Sequence, residues 1–95
     1  MAIAVQMDFP GATLEQYDEV IKLMGLRPGG PGPAGSVSHW VADIPGGIRV
    51  VDVWNAQADF EAFAQNQIGP MTAKVGMSPP ASTDFFEVHN HFGPG

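Results

Sequence analysis

Two β-rich runs, SVSHWVAD (36–43) and GIRVVDVW (47–54), flank the four residues Ile44, Pro45, Gly46 and Gly47. Val, Ile and Trp bounded by Pro and Gly signal strands, and so short a connection can only join antiparallel neighbours. With Pro45 and Gly46 as the central turn residues, His39 stands opposite Asp52, Val41 opposite Val50 and Val37 opposite Trp54. Directly opposed residues share a face of the sheet. A turn one residue longer or shorter would put His39 and Asp52 on opposite faces. Any fold open to this chain must contain the hairpin.

The remaining elements fall around it. AIAVQMDF (2–9) reads as a strand ended by Pro10 and Gly11. In TLEQYDEVIKLMG (13–25), Thr13 and Gln16 have the spacing of a capping box. Leu14, Tyr17, Ile21 and Met24 recur at helical spacing, and Gly25 terminates the helix. Asn55 is read as the cap of a second helix with an apolar stripe of Phe60, Phe63, Ala64 and Ile68, broken or kinked at Gly69 and Pro70 before MTAKVG resumes. TDFFEVHNHF (83–92) reads as a fourth strand. The order βαββαβ, with right-handed crossovers, predicts a ferredoxin-like α+β domain spanning residues 1–95, in which a four-stranded antiparallel sheet carries both helices on one face.

A sheet with one wet face usually alternates apolar and polar residues. These strands do not: Ile48 and Val50 share one face of the third strand, Val51 and Val53 the other. Something besides the helices must cover the second face, and a two-fold copy of the same sheet is the economical choice. A homodimer through the sheet faces is the expectation. A chain of 95 residues also gains from a partner, since small domains bury a modest share of their surface.

Charge narrows the partners. Four Lys and Arg against ten Asp and Glu give a net charge of -6, which repels a phosphate backbone and offers a membrane surface no basic stripe. Neither nucleic acid nor membrane is expected. The absence of cysteine removes disulfides, thiolate metal sites and a cysteine nucleophile. MAIAVQMDFP has no basic leader region, and no apolar run reaches about 18 residues, so a soluble cytoplasmic protein is expected.

The βαββαβ order, the strand ending VVDVWN, the helix opening AQADFEAF and the break at Gly69 and Pro70 together resemble the dimeric α+β barrel superfamily, in its antibiotic-biosynthesis-monooxygenase-like branch. The resemblance implies subunits paired sheet to sheet, each with a small-molecule pocket between its sheet and its helices. It also implies activities as different as cofactor-independent oxygenation of polycyclic aromatics, heme degradation, and isomerase or cyclase chemistry, so the fold selects no reaction. The heme-degrading members use an Asn on the first strand and a Trp and a His on the second helix. The matching positions here hold Gln6 and Phe63, and no histidine lies between Asn55 and Thr83, which removes the axial ligand. No cofactor is expected on the oxygenase reading.

Several side chains are candidates for chemistry. A carboxylate beside an imidazole fixes its tautomer and favours its charged form, whereas an apolar surround does the opposite. His39 and Asp52 therefore make a tuned catalytic base on one reading and a register-fixing polar pair on the other. Trp54, Trp40, Phe63 and Arg27 are candidate ligand-binding residues, the aromatics as lining for a hydrophobic or aromatic ligand and Arg27 as anchor for an anionic group; the aromatics equally suit a core. His89 and His91 alternate with Glu87 along the fourth strand and form a candidate metal pair, with Glu87 as third ligand, against the alternative of solvent-facing histidines.

GLRPGGPGPAG (25–35) holds five glycines and three prolines in eleven positions. It leaves a helix and feeds a strand, the reverse of a phosphate cradle, and its prolines lack the amide donors a cradle uses. It reads as a rim or lid over a pocket, or as a plain surface loop. The leading function is a monooxygenase-like enzyme for an aromatic or polyketide-like substrate, and the alternative is a non-catalytic small-ligand-, heme- or metal-binding dimer.

Overall fold

The computed structural model describes residues 1–93. Strand β1 spans Ile3–Pro10, helix α1 Leu14–Leu23, strands β2 and β3 Ser36–Ile44 and Gly47–Trp54, helix α2 Gln57–Phe63, helix α3 Gly69–Lys74 and strand β4 Ser82–Glu87. All pairings are antiparallel, in the order β2-β3-β1-β4. This is the ferredoxin-like α+β fold that the element order predicts.

The hairpin turns where the sequence places it. His39 faces Asp52, Val41 faces Val50 and Ile44 faces Gly47. Gly46 takes φ +83 after Pro45, the pattern of a turn that requires glycine at its second central position. A Cβ on Gly47 would lie 2.2 Å from the Phe9 carbonyl oxygen, so only glycine lets β1 approach here. The expected pairing of Val37 with Trp54 is not found. A bulge between Ser36 and Ser38 leaves Ser36 opposite Trp54 and Val37 without a partner in the register.

Helix α1 forms as its capping box predicts. The Gln16 amide donates to Thr13 Oγ1 (3.1 Å) and the Thr13 amide to Gln16 Oε1 (3.0 Å), an arrangement that stabilises a helix start by about 1 kcal/mol. At the other end, the Leu26 amide donates to Ile21 O and the Gly25 amide to Lys22 O, the two bonds of a Schellman stop.

The second helix differs from expectation in detail. Its cap is Ala56 with no side-chain bond; Asn55 instead donates its backbone amide to Gly35 O (2.8 Å), fastening the end of the 25–35 loop to the end of β3. The chain does not break at Pro70. Between α2 and α3, Ala64–Ile68 form one wide π turn, with the Gly69 amide bonding back to Ala64 O. In a regular helix the Pro70 ring would clash with the carbonyl four residues earlier; the wider turn admits it without ending the helix. Thr72 Oγ1 donates to Ile68 O at 2.7 Å beside this turn.

Strand β4 ends at Glu87, short of the 83–92 read from sequence, because its neighbour β1 begins at Ile3, opposite Glu87. The Val88 amide makes a last bond to Ala2 O, and His89 and His91 lie exposed beyond the strand, where strand alternation no longer holds.

Val5, Met7 and Phe9 of β1 and Ile48, Val50 and Trp54 of β3 form the core with Val20 and Phe60. Trp54, Ile48 and Val5 are almost wholly enclosed, each removing on the order of 2 kcal/mol of apolar surface from water. No helix among the described residues is long and apolar enough to cross a membrane.

Candidate functional site

One row of the sheet's helix-facing side runs Phe85, Val5, Asp52, His39 from β4 to β2. The first two are apolar and the last two are not. Asp52 is 4% exposed, and an ionised carboxylate so placed needs donors on both oxygens. It has them: Oδ1 accepts from His39 Nδ1 at 2.5 Å, and Oδ2 accepts from Trp54 Nε1 at 3.2 Å. Trp54 is two residues further along β3 on the same face, so strand periodicity aligns its indole with the carboxylate.

The other side of the His39 ring meets α1. Its Nε2 is hydrogen-bonded to the hydroxyl of Tyr17, with the two rings nearly parallel at 8° and their centroids 5.9 Å apart. A carboxylate can only accept, so Nδ1 carries the proton and Nε2 of the neutral ring accepts from the tyrosine. The result is a chain Tyr17–His39–Asp52–Trp54 crossing from helix to sheet, in which every donor has one acceptor. Burial pushes the Tyr17 hydroxyl up to about 12 from 10.0, and the Asp52 and Asp18 carboxylates add to the shift.

These side chains border a cavity of about 890 Å³ between α1, the sheet and the loop after α1. Its size falls in the range of small-molecule sites. The His39 side chain is 38% accessible, against 6% for that of Asp52. Trp54 and Phe63 form an aromatic wall, ring centroids 5.4 Å apart, and Phe60 braces Trp54 edge-on from behind. Ile68 and Thr72 from the π-turn region also reach the cavity, so the widened turn shapes its wall. Arg27 through Pro33 of the Gly/Pro stretch line its edge, which makes that stretch a rim.

The sequence-derived candidates thus separate into groups. His39, Asp52, Trp54, Phe63 and Arg27 come together around one space. Trp40 also borders the cavity, but alternation along β2 sets it on the opposite face from His39, paired with Val51 and half exposed. His89 and His91 stand apart from the site beyond β4, and no group of three His, Asp or Glu residues among the described residues is arranged to hold a metal ion. Gln6 pairs with Val51 and Asp84 between the buried Val5 and Met7, on the face turned away from the helices. Tyr17 was not among the candidates. It is the sole tyrosine and lies half-buried on the apolar stripe of α1, and a phenol packed against a core needs a polar partner, so its presence there was the available signal.

No protein-family model matches the sequence, and no curated protein matches it. Solved structures do match in fold. A candidate antibiotic biosynthesis monooxygenase from Chloroflexus aurantiacus superposes with a TM-score of 0.67 at 17% identity, over 100% of both chains. SnoaB, a cofactor-independent oxygenase from Streptomyces nogalater, gives 0.58 at 13% identity over 98% of this chain and 97% of its own. A protein of unknown function from Nitrosomonas europaea gives 0.64 at 19% identity over 99% and 93%. At these identities the likeness is one of architecture: this chain has the fold of the antibiotic-biosynthesis-monooxygenase-like proteins.

Proposed function

We propose that this protein is a cofactor-independent, monooxygenase-like enzyme acting in the cytoplasm as a homodimer on an aromatic or polyketide-like substrate. The observation that carries the reading is an imidazole anchored by a buried carboxylate at the wall of an apolar cavity of about 890 Å³. Oxygenation without a cofactor needs a substrate anion able to pass an electron to dioxygen, so a base in a dry pocket is the minimum equipment. His39 takes the proton, Asp52 holds its tautomer and stabilises the imidazolium, and Trp54 and Phe63 flank the ring system of the substrate. Dioxygen is the oxidant and the substrate the reductant: the anion gives one electron, the radical pair joins through a new carbon–oxygen bond, the His39 imidazolium returns its proton to the peroxide, and loss of water, breaking the O–O bond and the remaining C–H bond on that carbon, leaves a carbonyl. The fold shared with SnoaB, itself a cofactor-independent oxygenase, supports the same chemistry.

Oxygen uptake with a panel of hydroxylated polycyclic aromatics tests this. Turnover should appear with at least one of them and fall by about 10²–10⁴ in His39→Ala, the usual contribution of a general base, in a variant that loses some stability with its donor to Asp52 but still unfolds cooperatively. If no compound is oxidised and His39→Ala mainly lowers the melting temperature, the pair is structural and the protein is a ligand-binding dimer.

A further inference from the structure

Resting on that proposal, the geometry points to Tyr17, rather than His39 itself, as the catalytic group that touches the substrate, and to a hydroxyaromatic compound as the substrate class. The Nε2 lone pair of His39 is already occupied: its acceptor position is filled by the Tyr17 hydroxyl, and its other nitrogen is committed to Asp52. No proton reaches Nε2 directly without first breaking the bond to Tyr17. A phenolic hydroxyl, however, has one proton to donate and lone pairs left to accept with. Tyr17 and His39 both border the cavity, so a ligand hydroxyl there meets the tyrosine oxygen as the free end of the chain.

The step then balances in two transfers. The substrate O–H bond breaks as its proton passes to Tyr17 Oη, and the Tyr17 O–H bond breaks as its own proton passes to His39 Nε2. Tyr17 ends as it began, the substrate becomes a phenolate, and the positive charge rests on an imidazolium facing the Asp52 carboxylate. No oxidant is consumed in this step. A hydroxyl on an aromatic ring is the fitting proton source, because its affinity for the proton resembles that of the tyrosine that receives it and its ring suits the Trp54 and Phe63 wall. The raised proton affinity of Tyr17 keeps it neutral, and therefore able to donate to His39, throughout the neutral range. The charged groups around it are Asp18 and Lys22 on α1, Asp52 on β3 and Arg27 on the rim.

The probe is 4-nitrophenol, whose phenolate is coloured and whose acid is not, titrated against pH with the wild type, Tyr17→Phe and His39→Gln. Tyr17→Phe keeps the ring and leaves the capping box and Schellman stop of α1 intact, and thermal melts check that each variant folds. In the wild type the bound phenol should ionise about one unit or more below its free value, a tenfold change in the ionised ratio, and both variants should lose that shift. If Tyr17→Phe keeps the shift while His39→Gln loses it, the relay is wrong and His39 acts directly, so the proposed function survives without the inference. If both keep it, the base assignment falls as well. A wild type that does not bind 4-nitrophenol overturns the hydroxyaromatic class. Should His39→Gln not fold, Tyr17→Phe against wild type still decides: shift lost supports the relay, shift kept overturns it.

Discussion

The two faces of one sheet are built from the same strands and put to different uses. On the helix side, Val5, Met7, Phe9, Ile48 and Val50 are buried, and the polar exceptions, Asp52 and His39, are joined to Trp54 and Tyr17. On the other side, two adjacent rows run Trp40, Val51, Gln6, Asp84 and Ser38, Val53, Ala4, Phe86. There Trp40 is 50% and Phe86 56% exposed, so large apolar surfaces remain in water although every strand is the same one that buries its neighbours opposite. One face is satisfied within the chain, and the other leaves Trp40 and Phe86 open. Disturbing the first should damage folding and chemistry together, whereas disturbing the second should change assembly and leave the site intact.

The sharpest way to break that contrast is Asp52→Ala. It leaves the buried Trp54 indole N–H without its acceptor, a loss of about 1–3 kcal/mol for an orphaned donor, and it frees the more open His39 imidazole to change tautomer. Chemical denaturation should show that destabilisation, and oxygen uptake should fall with it. Asp52→Asn, which preserves shape and one acceptor, should recover most of the stability but not the activity. Recovery of both would mean that the carboxylate charge has no part in the chemistry.

How much of this was legible in the sequence divides along the same line between local and tertiary structure. The hairpin register followed from the length of one turn, and with it the His39–Asp52 pair, because a two-residue turn leaves no freedom in what stands opposite. The bulge at Val37 was not legible, since an extra residue changes no pattern in the sequence of the strand itself. Pro70 announced a disturbance and hid its form, because a broken helix and a widened turn both answer the missing amide. The end of β4 depended on where β1 begins, a partner far away along the chain. Tyr17 was visible on the stripe of α1, but helical spacing states which residues face the sheet and not which strand residue each one meets. The site was therefore half readable: the pair made by one hairpin, but not the third member delivered by a helix.

The second prediction breaks the outer face alone. Sedimentation of the wild type should report a dimer, and replacing Trp40 and Phe86 together by Glu should give a monomer, because two buried charges without partners are heavily penalised in an apolar interface. The Tyr17, His39 and Asp52 geometry lies on the other side of the sheet and should persist, read as an unchanged apparent pKa of bound 4-nitrophenol. A variant that remains dimeric would place the subunit contact elsewhere; a wild-type monomer would leave the outer face without the partner proposed for it.

The smallest effects come from pH, and they assign one ionisable group to each face. Tyr17, on the helix side, holds its proton more tightly folded, at about 12, than the ordinary 10.0. Its contribution to stability is therefore full below about pH 10 and declines as the pH rises toward 12, where the unfolded chain releases the proton first. As the chain has a single tyrosine, alkaline tyrosinate absorbance reports this group alone, and Tyr17→Phe should remove that part of the alkaline decline. Asp8, on the outer side, has the opposite sign. Arg49 holds it by two bonds, Nε to Oδ1 at 2.7 Å and Nη2 to Oδ2 at 3.0 Å, and keeps its carboxyl below the usual 3.8. That contribution is present above 3.8 and disappears as the pH falls through the folded value. Asp8→Asn should flatten this acid limb, and because the pair lies in high dielectric, added salt should shrink the difference between the two proteins. The alkaline limb, set chiefly by burial around Tyr17, should respond to salt much less. If salt weakens both limbs alike, the helix-side group is as open to solvent as the outer pair, and the distinction between an enclosed face and an exposed one does not hold at the site.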